Sequence, residues 1–170
     1  MITKRKDRKT APADEALQLV TFQVGAEEYG LDISAISEVV RPLRITPLPR
    51  MPRFIEGVVN LRGVIIPVVD LRVRFELKTI RNDPRKMRMV IARRGAPGAS
   101  ELLGLVVDGV DEVLDVPKKN IDRAPDAARG ANAEFIAGMC KVADRLVILL
   151  DIASILSREE RAALAEAEHA

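Results

Sequence analysis

The stretch E-E-Y-G-L-D-I-S-A-I-S-E-V-V (27–40) occurs a second time, in altered form, as E-L-L-G-L-V-V-D-G-V-D-E-V-L (101–114). The two stretches lie at a constant offset of 74 residues. They share the pairs Glu27/Glu101, Gly30/Gly104, Leu31/Leu105, Glu38/Glu112 and Val39/Val113. The order of these matches indicates an internal repeat, although β-rich sequences also share valine and glycine by chance.

A second pair of segments extends the repeat. F-I-E-G (54–57) corresponds to F-I-A-G (135–138) at an offset of 81, and the match continues without a gap to Leu71 and Ile152. A unit of this length is one small domain and is too long for a solenoid repeat. The sequence therefore predicts two similar units, about 17–78 and 87–156, which together form one domain over 17–156.

The composition favours a β-rich fold. Of the 170 residues, 48% are apolar but only 3% are aromatic, so valine, isoleucine and leucine have to form the core. β-Branched residues are enriched in strands, and short strands separated by glycine turns are typical of sandwiches and barrels. We predict a mostly β fold of two small antiparallel barrels, because barrel closure protects the edges of short strands.

The two ends of the chain differ from this domain. Residues 1–16 are rich in Lys, Arg, Pro and Asp without apolar periodicity, which is typical of a disordered basic tail. Residues 157–170 are predicted to form a C-terminal helix, because Ser157 and Glu160 have the spacing of a capping box. Its apolar stripe, which should pack on a barrel, comprises Leu156, Ala163, Leu164 and Ala167.

The sequence offers little for catalysis. The only histidine, His169, is the penultimate residue, and the only cysteine, Cys140, lies in an apolar run where a small buried core residue is expected. A nucleophile–histidine couple and a zinc site are therefore not expected, and no phosphate-binding glycine loop precedes a helix. We predict a protein without catalytic residues, metal or cofactor.

A nucleic-acid binder is the second class to consider, because small barrels often bind single strands through aromatic stacking and a basic groove. The segment from Arg72 to Arg94 is strongly basic, which favours this reading. The formal net charge is only +2, however, and the aromatic residues all lie in apolar contexts that are typical of a core. Those residues are Phe22, Tyr29, Phe54, Phe75 and Phe135. We therefore expect no nucleic-acid partner.

No apolar stretch is long enough to span a membrane, and the charged start of the chain has no apolar segment after it. The sequence therefore predicts a cytoplasmic protein that does not insert into the bilayer.

Protein binding is the class that remains. The predicted hairpin turn Asn60-Leu61-Arg62-Gly63 places a leucine and an arginine where an interface would use them. An exposed Leu61 is costly unless a partner covers it. The alternative is that Leu61 packs under its own hairpin and Arg62 is solvated.

Several motifs together resemble the CheW family of chemotaxis coupling proteins. They are E-E-Y-G-L-D-I (27–33), F-I-E-G-V-V-N-L-R-G-V-I-I-P-V-V-D-L-R (54–72), G-L-V-V-D-G-V-D-E-V (104–113) and the turn Ala143-Asp144-Arg145. The resemblance implies two five-stranded SH3-like barrels. It also implies a non-catalytic adaptor that joins the cytoplasmic tip of methyl-accepting chemoreceptors to the regulatory domain of a CheA-type histidine kinase, at the periphery of receptor arrays.

The resemblance also implies which positions face each partner. Receptor-facing positions match Ile36, Glu38 and Arg62, at a groove between the barrels that would hold a receptor helix. Kinase-facing positions match Gly57, Val110 and Gly138, although both glycines can equally serve only their turns. Head-to-tail contacts between unlike barrels of the adaptor and the kinase can close into rings.

Three features depart from the family pattern: the basic tail, the long Gly95–Ser100 loop, and Arg88, which stands where the family more often has an aliphatic residue. They leave the detailed shape of the receptor groove open.

Overall fold

The structure is a computed structural model of the chain, and it describes residues 15–78, 83–95, 101–123 and 133–169. Within these ranges the chain forms eleven strands and two α-helices, joined by short 3-10 turns. The strands are β1 (Ala16–Val24), β2 (Glu27–Asp32), β3 (Ile36–Val40), β4 (Ile55–Leu61), β5 (Val64–Asp70), β6 (Arg88–Arg94), β7 (Glu101–Val107), β8 (Gly109–Pro117), β9 (Ile121–Asp122), β10 (Ile136–Val142) and β11 (Arg145–Leu150). The helices are α1 (Leu71–Arg74) and α2 (Arg158–His169).

Some predicted features lie partly outside the described residues. They are residues 1–14 of the predicted tail and most of the Gly95–Ser100 loop.

The strands form two sheets, each of which makes one small barrel. Barrel 1 has the strand order β8-β1-β2-β11-β10-β9, and barrel 2 has the order β3-β6-β7-β5-β4. The mostly β, double-barrel prediction is confirmed. Barrel 1 has a sixth strand because β9, only two residues long, pairs with β10; the corresponding position in barrel 2 is a single bridge between Thr46 and Val58.

The two repeat units do not fold separately. Strands β1 to β5 of the first unit correspond in order to β6, β7, β8, β10 and β11 of the second. Barrel 1 combines β1 and β2 of the first unit with β8, β10 and β11 of the second. Barrel 2 combines β3, β4 and β5 of the first unit with β6 and β7 of the second. The two units therefore exchange strands. The parallel pairs show the equivalence directly, since Leu149 pairs with Gly30 in barrel 1 and Val68 pairs with Gly104 in barrel 2.

Two short connections carry the chain from one barrel to the other. After β2, a 3-10 turn (Ile33–Ala35) begins where the Asp32 carboxylate accepts the Ser34 N–H at 2.9 Å, and it delivers β3 to barrel 2. After β7, Asp108 turns the chain back: its N–H donates to the Gln23 carbonyl at 2.8 Å, and its carboxylate accepts the Gly25 N–H at 2.7 Å. Because both connections are short and hydrogen-bonded, the barrels are held in a fixed relation.

Three apolar clusters form the core. One contains strands of barrel 1 only, one contains strands of barrel 2 only, and the largest draws on both barrels and on α2. The shared cluster holds all five aromatic side chains, and Tyr29 and Phe75 stack within it with their ring centroids 5.3 Å apart. The interpretation of the aromatic residues as core is therefore confirmed, and none of them is exposed for stacking on bases.

The C-terminal helix packs against the shared cluster as predicted. The Ser157 N–H donates to Glu160 Oε1 at 2.7 Å, and the Glu160 N–H donates to Ser157 Oγ at 3.1 Å, which confirms the capping box. Leu156 and Leu164 are buried. Neither helix in the described ranges combines the length and apolar character needed to cross a bilayer.

Candidate partner-binding surfaces

Glu38 and Arg62 meet on the surface of barrel 2. The β4–β5 hairpin turns through two residues, Arg62 (φ 53°) and Gly63 (φ 87°), and the Asn60 side chain accepts the Gly63 N–H at 2.8 Å. From this turn the Arg62 guanidinium reaches β3 and forms a bidentate ion pair with Glu38, at 2.7 and 2.8 Å. The hydrogen bond from Arg62 lowers the pKa of Glu38. The structure thus brings these two predicted site residues together.

The apolar side chains near the Glu38–Arg62 ion pair are either half-buried or exposed. Ile36 pairs with Ala92 at the start of β3 and is half-buried against the shared core. Leu61 is half-buried against the barrel 2 core, so the reading in which it packs under its own hairpin is the one observed. The next residues along β5, Val64 and Ile65, are each 51% exposed. Neither residue was predicted as part of a site, because their only signal in the sequence is an apolar pair directly after a turn.

Gly57 and Gly138 occupy equivalent positions in the two barrels. Each is buried at a shift in the register of its hairpin. A Cβ at Gly57, whose φ is +146°, would lie 2.1 Å from the Thr46 carbonyl oxygen, and one at Gly138 would lie 2.9 Å from the Asp122 carbonyl oxygen. Close approach of the neighbouring backbone therefore explains both glycines, and a contact with a kinase stays a prediction.

Val110 lies in a different place from the two glycines. It is half-buried and lines a groove of about 910 Å³ between the barrels, which we call the inter-barrel groove. The barrel 2 side of the groove is lined by Val39, Asp83, Lys86 and Arg88. The barrel 1 side is lined by Gln23, Gly25, Glu28, Asp108, Gly109, Val110, Asp111, Glu112 and Arg145. Of the predicted site residues, only Val110 contributes to this lining.

A second surface ion pair repeats the first. Arg145 Nη2 donates to Glu112 Oε1 at 2.7 Å, and Glu112 is the repeat equivalent of Glu38. The arginine of this pair comes from a different position of the repeat, because Arg145 is equivalent to Val64 and not to Arg62. The sequence repeat identifies Glu112 as the equivalent of Glu38, but it does not predict that Arg145 is the partner of Glu112.

The described residues contain no group of three or more His, Cys, Asp and Glu side chains placed to hold a metal ion. Cys140 is buried in the barrel 1 core, as predicted, and burial raises the pKa of its thiol.

A carboxylate cluster lies beside Gly57. Burial, followed by a hydrogen bond with Asp70 and repulsion from it, raises the pKa of Glu56 to about 7. Arg72 partly offsets these effects, and it also lies 3.5 Å from both Asp70 and Asp108. The folded protein therefore binds a proton at Glu56 more tightly than the unfolded chain, whose carboxyl has the ordinary pKa of 4.5.

This proton should make stability depend on pH. A raised carboxyl pKa contributes stability that is fully present below the unfolded value of 4.5 and is lost as pH rises through about 7. Glu56→Gln mimics the protonated form, so at about pH 8 we expect its unfolding free energy to exceed that of the wild type by about 1 kcal/mol, after allowance for solvent screening. At about pH 4 the two should agree, because both states of the wild type then hold the proton. Urea unfolding at both pH values measures this, with the exposed Glu159→Gln as the control; a difference that does not change with pH would contradict it.

Comparison with known proteins decides the family. Residues 18–160 match the CheW-like domain family. The chain belongs to the CheW-like family. It is 37% identical over 145 residues to the chemotaxis protein CheW of Klebsiella aerogenes, covering 85% of this chain and 84% of that protein. It is 30% identical over 157 residues to the protein FrzA of Myxococcus xanthus, covering 91% and 94%.

A solved structure agrees with this assignment. The crystal structure of the scaffolding protein TtCheW from Thermoanaerobacter tengcongensis superposes with a TM-score of 0.74 at 32% identity, over 85% of this chain and 94% of that one. Membership of the CheW-like family confirms the sequence prediction of two SH3-like barrels and of a non-catalytic adaptor in chemotaxis signalling. Coupling of chemoreceptors to the kinase CheA is the role that the family implies.

Proposed function

We propose that this chain joins the cytoplasmic tip of chemoreceptors to the regulatory domain of a CheA-type histidine kinase, as a cytoplasmic adaptor at the periphery of receptor arrays. One observation supports the proposal: the two repeat units exchange strands to form the barrels, and the barrels share the largest apolar cluster. A packed core of this kind resists relative motion of its parts, so partners bound to different barrels would be held in fixed geometry.

The receptor side uses Ile36, Glu38 and Arg62. In this proposal a receptor helix lies against the protein, and Glu38 and Arg62 set its register at the rim. The bidentate pair holds both side chains in position before binding, which reduces the entropy lost when the helix docks. Because the Arg62 side chain is 71% exposed, its charge remains accessible to a partner.

We expect Arg62→Ala to weaken receptor binding about tenfold, because arginine is a frequent anchor of interfaces and its loss also releases Glu38. Stability should change little, since an exposed ion pair contributes little to it. Calorimetric titration with a receptor-tip fragment and a thermal unfolding curve measure the two quantities. Arg161→Ala, an exposed arginine on α2, is the matched control. Equal affinities for wild type and Arg62→Ala would remove Arg62 from the site.

The kinase side is proposed to include Gly57, Val110 and Gly138. Both glycines are buried, so they would shape the hairpins that meet the kinase, whereas Val110 is partly accessible. Head-to-tail contacts between unlike barrels of the adaptor and the kinase domain would allow rings to form.

The bridging role has a direct test. We expect the regulatory domain of the kinase to co-sediment with receptor-bearing membrane fragments only when this chain is present. Equal co-sedimentation without the chain would overturn the adaptor function.

A further inference from the structure

Arg72 lies where the chain crosses between the barrels. It is on α1, directly after β5 of barrel 2, and its side chain is only 22% exposed. On one side its Nε atom is 3.5 Å from Asp70, the residue that caps α1. On the other side its Nη1 atom is 3.5 Å from Asp108, which returns the chain from β7 of barrel 2 to β8 of barrel 1. Arg72 therefore forms a contact between the two barrels.

Neither contact of Arg72 is a close one. Charge-assisted hydrogen bonds from nitrogen to oxygen normally measure about 2.7–2.9 Å. Other ion pairs of this protein reach that range, and the distance from Arg62 to Glu38 is 2.7 Å. At 3.5 Å from each carboxylate, the Arg72 guanidinium is shared between Asp70 and Asp108 and is not fixed on either. A change of charge on one side would therefore favour one contact over the other.

Asp108 transmits the contact to barrel 1. Its side chain is only 3% exposed, and its Oδ2 atom accepts the N–H of Gly25, in the turn between β1 and β2, at 2.7 Å. A buried carboxylate needs compensating charge and hydrogen bonds, and Arg72 is the neighbouring cation. The position of Arg72 should therefore affect how firmly Asp108 holds the β1–β2 turn. Gly25 and Asp108 both line the inter-barrel groove, so this turn is part of the groove wall.

A titratable group lies at the other contact of Arg72. Burial of Glu56, on β4, together with a hydrogen bond that it shares with Asp70, raises the pKa of Glu56 to about 7. Two neighbouring carboxyl groups ionise together only at a cost, so this pair holds a proton that it releases near neutral pH. Once that proton has left, the pair carries two negative charges. It then attracts Arg72 more strongly than the single charge of Asp108 does.

Four charged side chains lie on the segments next to Glu56. They are Arg44 before the Thr46 bridge, Asp70 at the end of β5, and Arg72 and Arg74 on α1. Arg44 is exposed, and Arg74 donates to both Glu160 oxygens. Besides burial, Asp70 and Arg72 are the groups that shift the pKa of Glu56. Arg72 is therefore the cation that responds to the charge of Glu56.

The internal repeat shows that the fold does not require this arrangement. The barrel 1 equivalent of Asp70 is Asp151, which caps its own turn by accepting the Ala153 N–H at 3.1 Å. The glutamate and the arginine next to Asp70 are replaced there by alanines, Ala137 and Ala153. The aspartate thus caps the turn in barrel 1 without them. Their presence in barrel 2 points to a role other than capping.

We propose that Arg72 is a proton-controlled link between the barrels. While Glu56 is protonated, the guanidinium is shared between Asp70 and Asp108, and Asp108 holds the β1–β2 turn. When Glu56 loses its proton, the guanidinium moves towards barrel 2 and Asp108 loses its counter-ion. The β1–β2 turn, and with it one wall of the inter-barrel groove, is then held less firmly. The link is intramolecular, so it needs no partner and stands apart from the adaptor function.

Amide hydrogen exchange at Gly25, measured by NMR on the full chain, tests this link. Between about pH 6 and about pH 8 we expect protection of this amide, corrected for intrinsic exchange, to fall about fivefold in the wild type. Glu56→Gln resembles the protonated form, so its Gly25 protection should stay constant over the same range. The Ala153 amide, which Asp151 holds in barrel 1, is the internal control and should behave alike in both proteins.

Arg72→Gln removes the charge that is proposed to move. Protection of the Gly25 amide should then be about fivefold lower than in the wild type at about pH 6, and it should no longer change with pH. Arg161→Gln, at an exposed position on α2, is the matched control for the loss of one positive charge.

A second measurement uses the wild type and Glu56→Gln alone, so it holds even if Arg72→Gln does not fold. Carbon-13 NMR of the side-chain carboxyl groups follows Glu56 and Asp108 separately as the pH is raised. In the wild type we expect the Asp108 signal to shift with the same midpoint as Glu56, at about pH 7. In Glu56→Gln this shift of Asp108 should disappear.

Three results would overturn the proposal. The first is a Gly25 protection that has the same pH dependence in the wild type and in Glu56→Gln. The second is an Asp108 carboxyl signal that does not follow Glu56. The third is a folded Arg72→Gln variant with undiminished Gly25 protection, because Asp108 would then hold the turn without the guanidinium.

Discussion

Gly57→Ala is expected to cost about 4 kcal/mol or more of unfolding free energy, a large part of the stability of a domain of this size. A Cβ at this position would lie 2.1 Å from the Thr46 carbonyl oxygen and 2.9 Å from the Pro47 Cα. Both neighbours are backbone atoms, which cannot rotate away. The φ of +146° is also a conformation that side-chain-bearing residues rarely adopt.

The cost is high because the contact closes barrel 2. Thr46 and Val58 exchange two backbone hydrogen bonds, of 2.8 and 2.9 Å, directly beside Gly57. A side chain at Gly57 would push Thr46 away and break that pairing. Chemical denaturation followed by circular dichroism measures the loss. Gly109→Ala is the control, because its nearest neighbour, the Lys86 carbonyl oxygen, would be 3.7 Å from the new Cβ. A variant at Gly57 as stable as the one at Gly109 would contradict the prediction.

A loss of kinase binding in a Gly57 variant would not by itself show that the kinase contacts Gly57. A substitution there would abolish binding through unfolding even if the kinase never touched the residue. Gly138 poses the same problem in milder form, because a Cβ there would lie 2.9 Å from its nearest neighbour, the Asp122 carbonyl oxygen. Binding data at either glycine therefore need an unfolding curve beside them.

The sequence predicted the architecture better than the connectivity. The repeat and the apolar contexts of the aromatic residues led to two barrels and a core that holds all five rings. Similarity between two units does not reveal whether each unit closes on itself or on its partner. That choice depends on where the turn after Asp32 directs β3, and such a direction follows from tertiary packing rather than from local residue preference.

The candidate site was predictable only in part. Glu38 and Arg62 came from a family resemblance, and nothing in their 24-residue separation predicts a bidentate pair. The contact between Glu28 and Arg145 was not predictable for the same reason: the two residues are 117 residues apart in the chain, and the parallel pairing of β2 with β11 brings them together. Long-range charge pairs depend on strand register, which a single sequence does not specify.

The second large effect is expected at Arg74, on α1. Its guanidinium carbon lies 4.0 Å from the centroid of the Phe54 ring and 4.5 Å from that of Phe135. These two phenylalanines are repeat equivalents, so Arg74 lies between matching rings of the two units. The same guanidinium donates to both Glu160 oxygens at 3.0 Å, which ties α2 to the junction of the barrels.

Arg74→Ala should therefore cost about 3 kcal/mol, because it leaves a largely buried Glu160 unpaired and removes two cation–π contacts. Glu160 also caps α2, so amide hydrogen exchange in that helix should accelerate more than in the strands. Arg74→Lys keeps the charge but not the planar fork, so its cost should be intermediate. The matched control is Arg85→Ala: Arg85 also pairs with a carboxylate, Asp83, but its side chain is 90% exposed, against 14% for Arg74. If the two alanine variants lose equal stability, then burial does not set the strength of the Arg74–Glu160 pair.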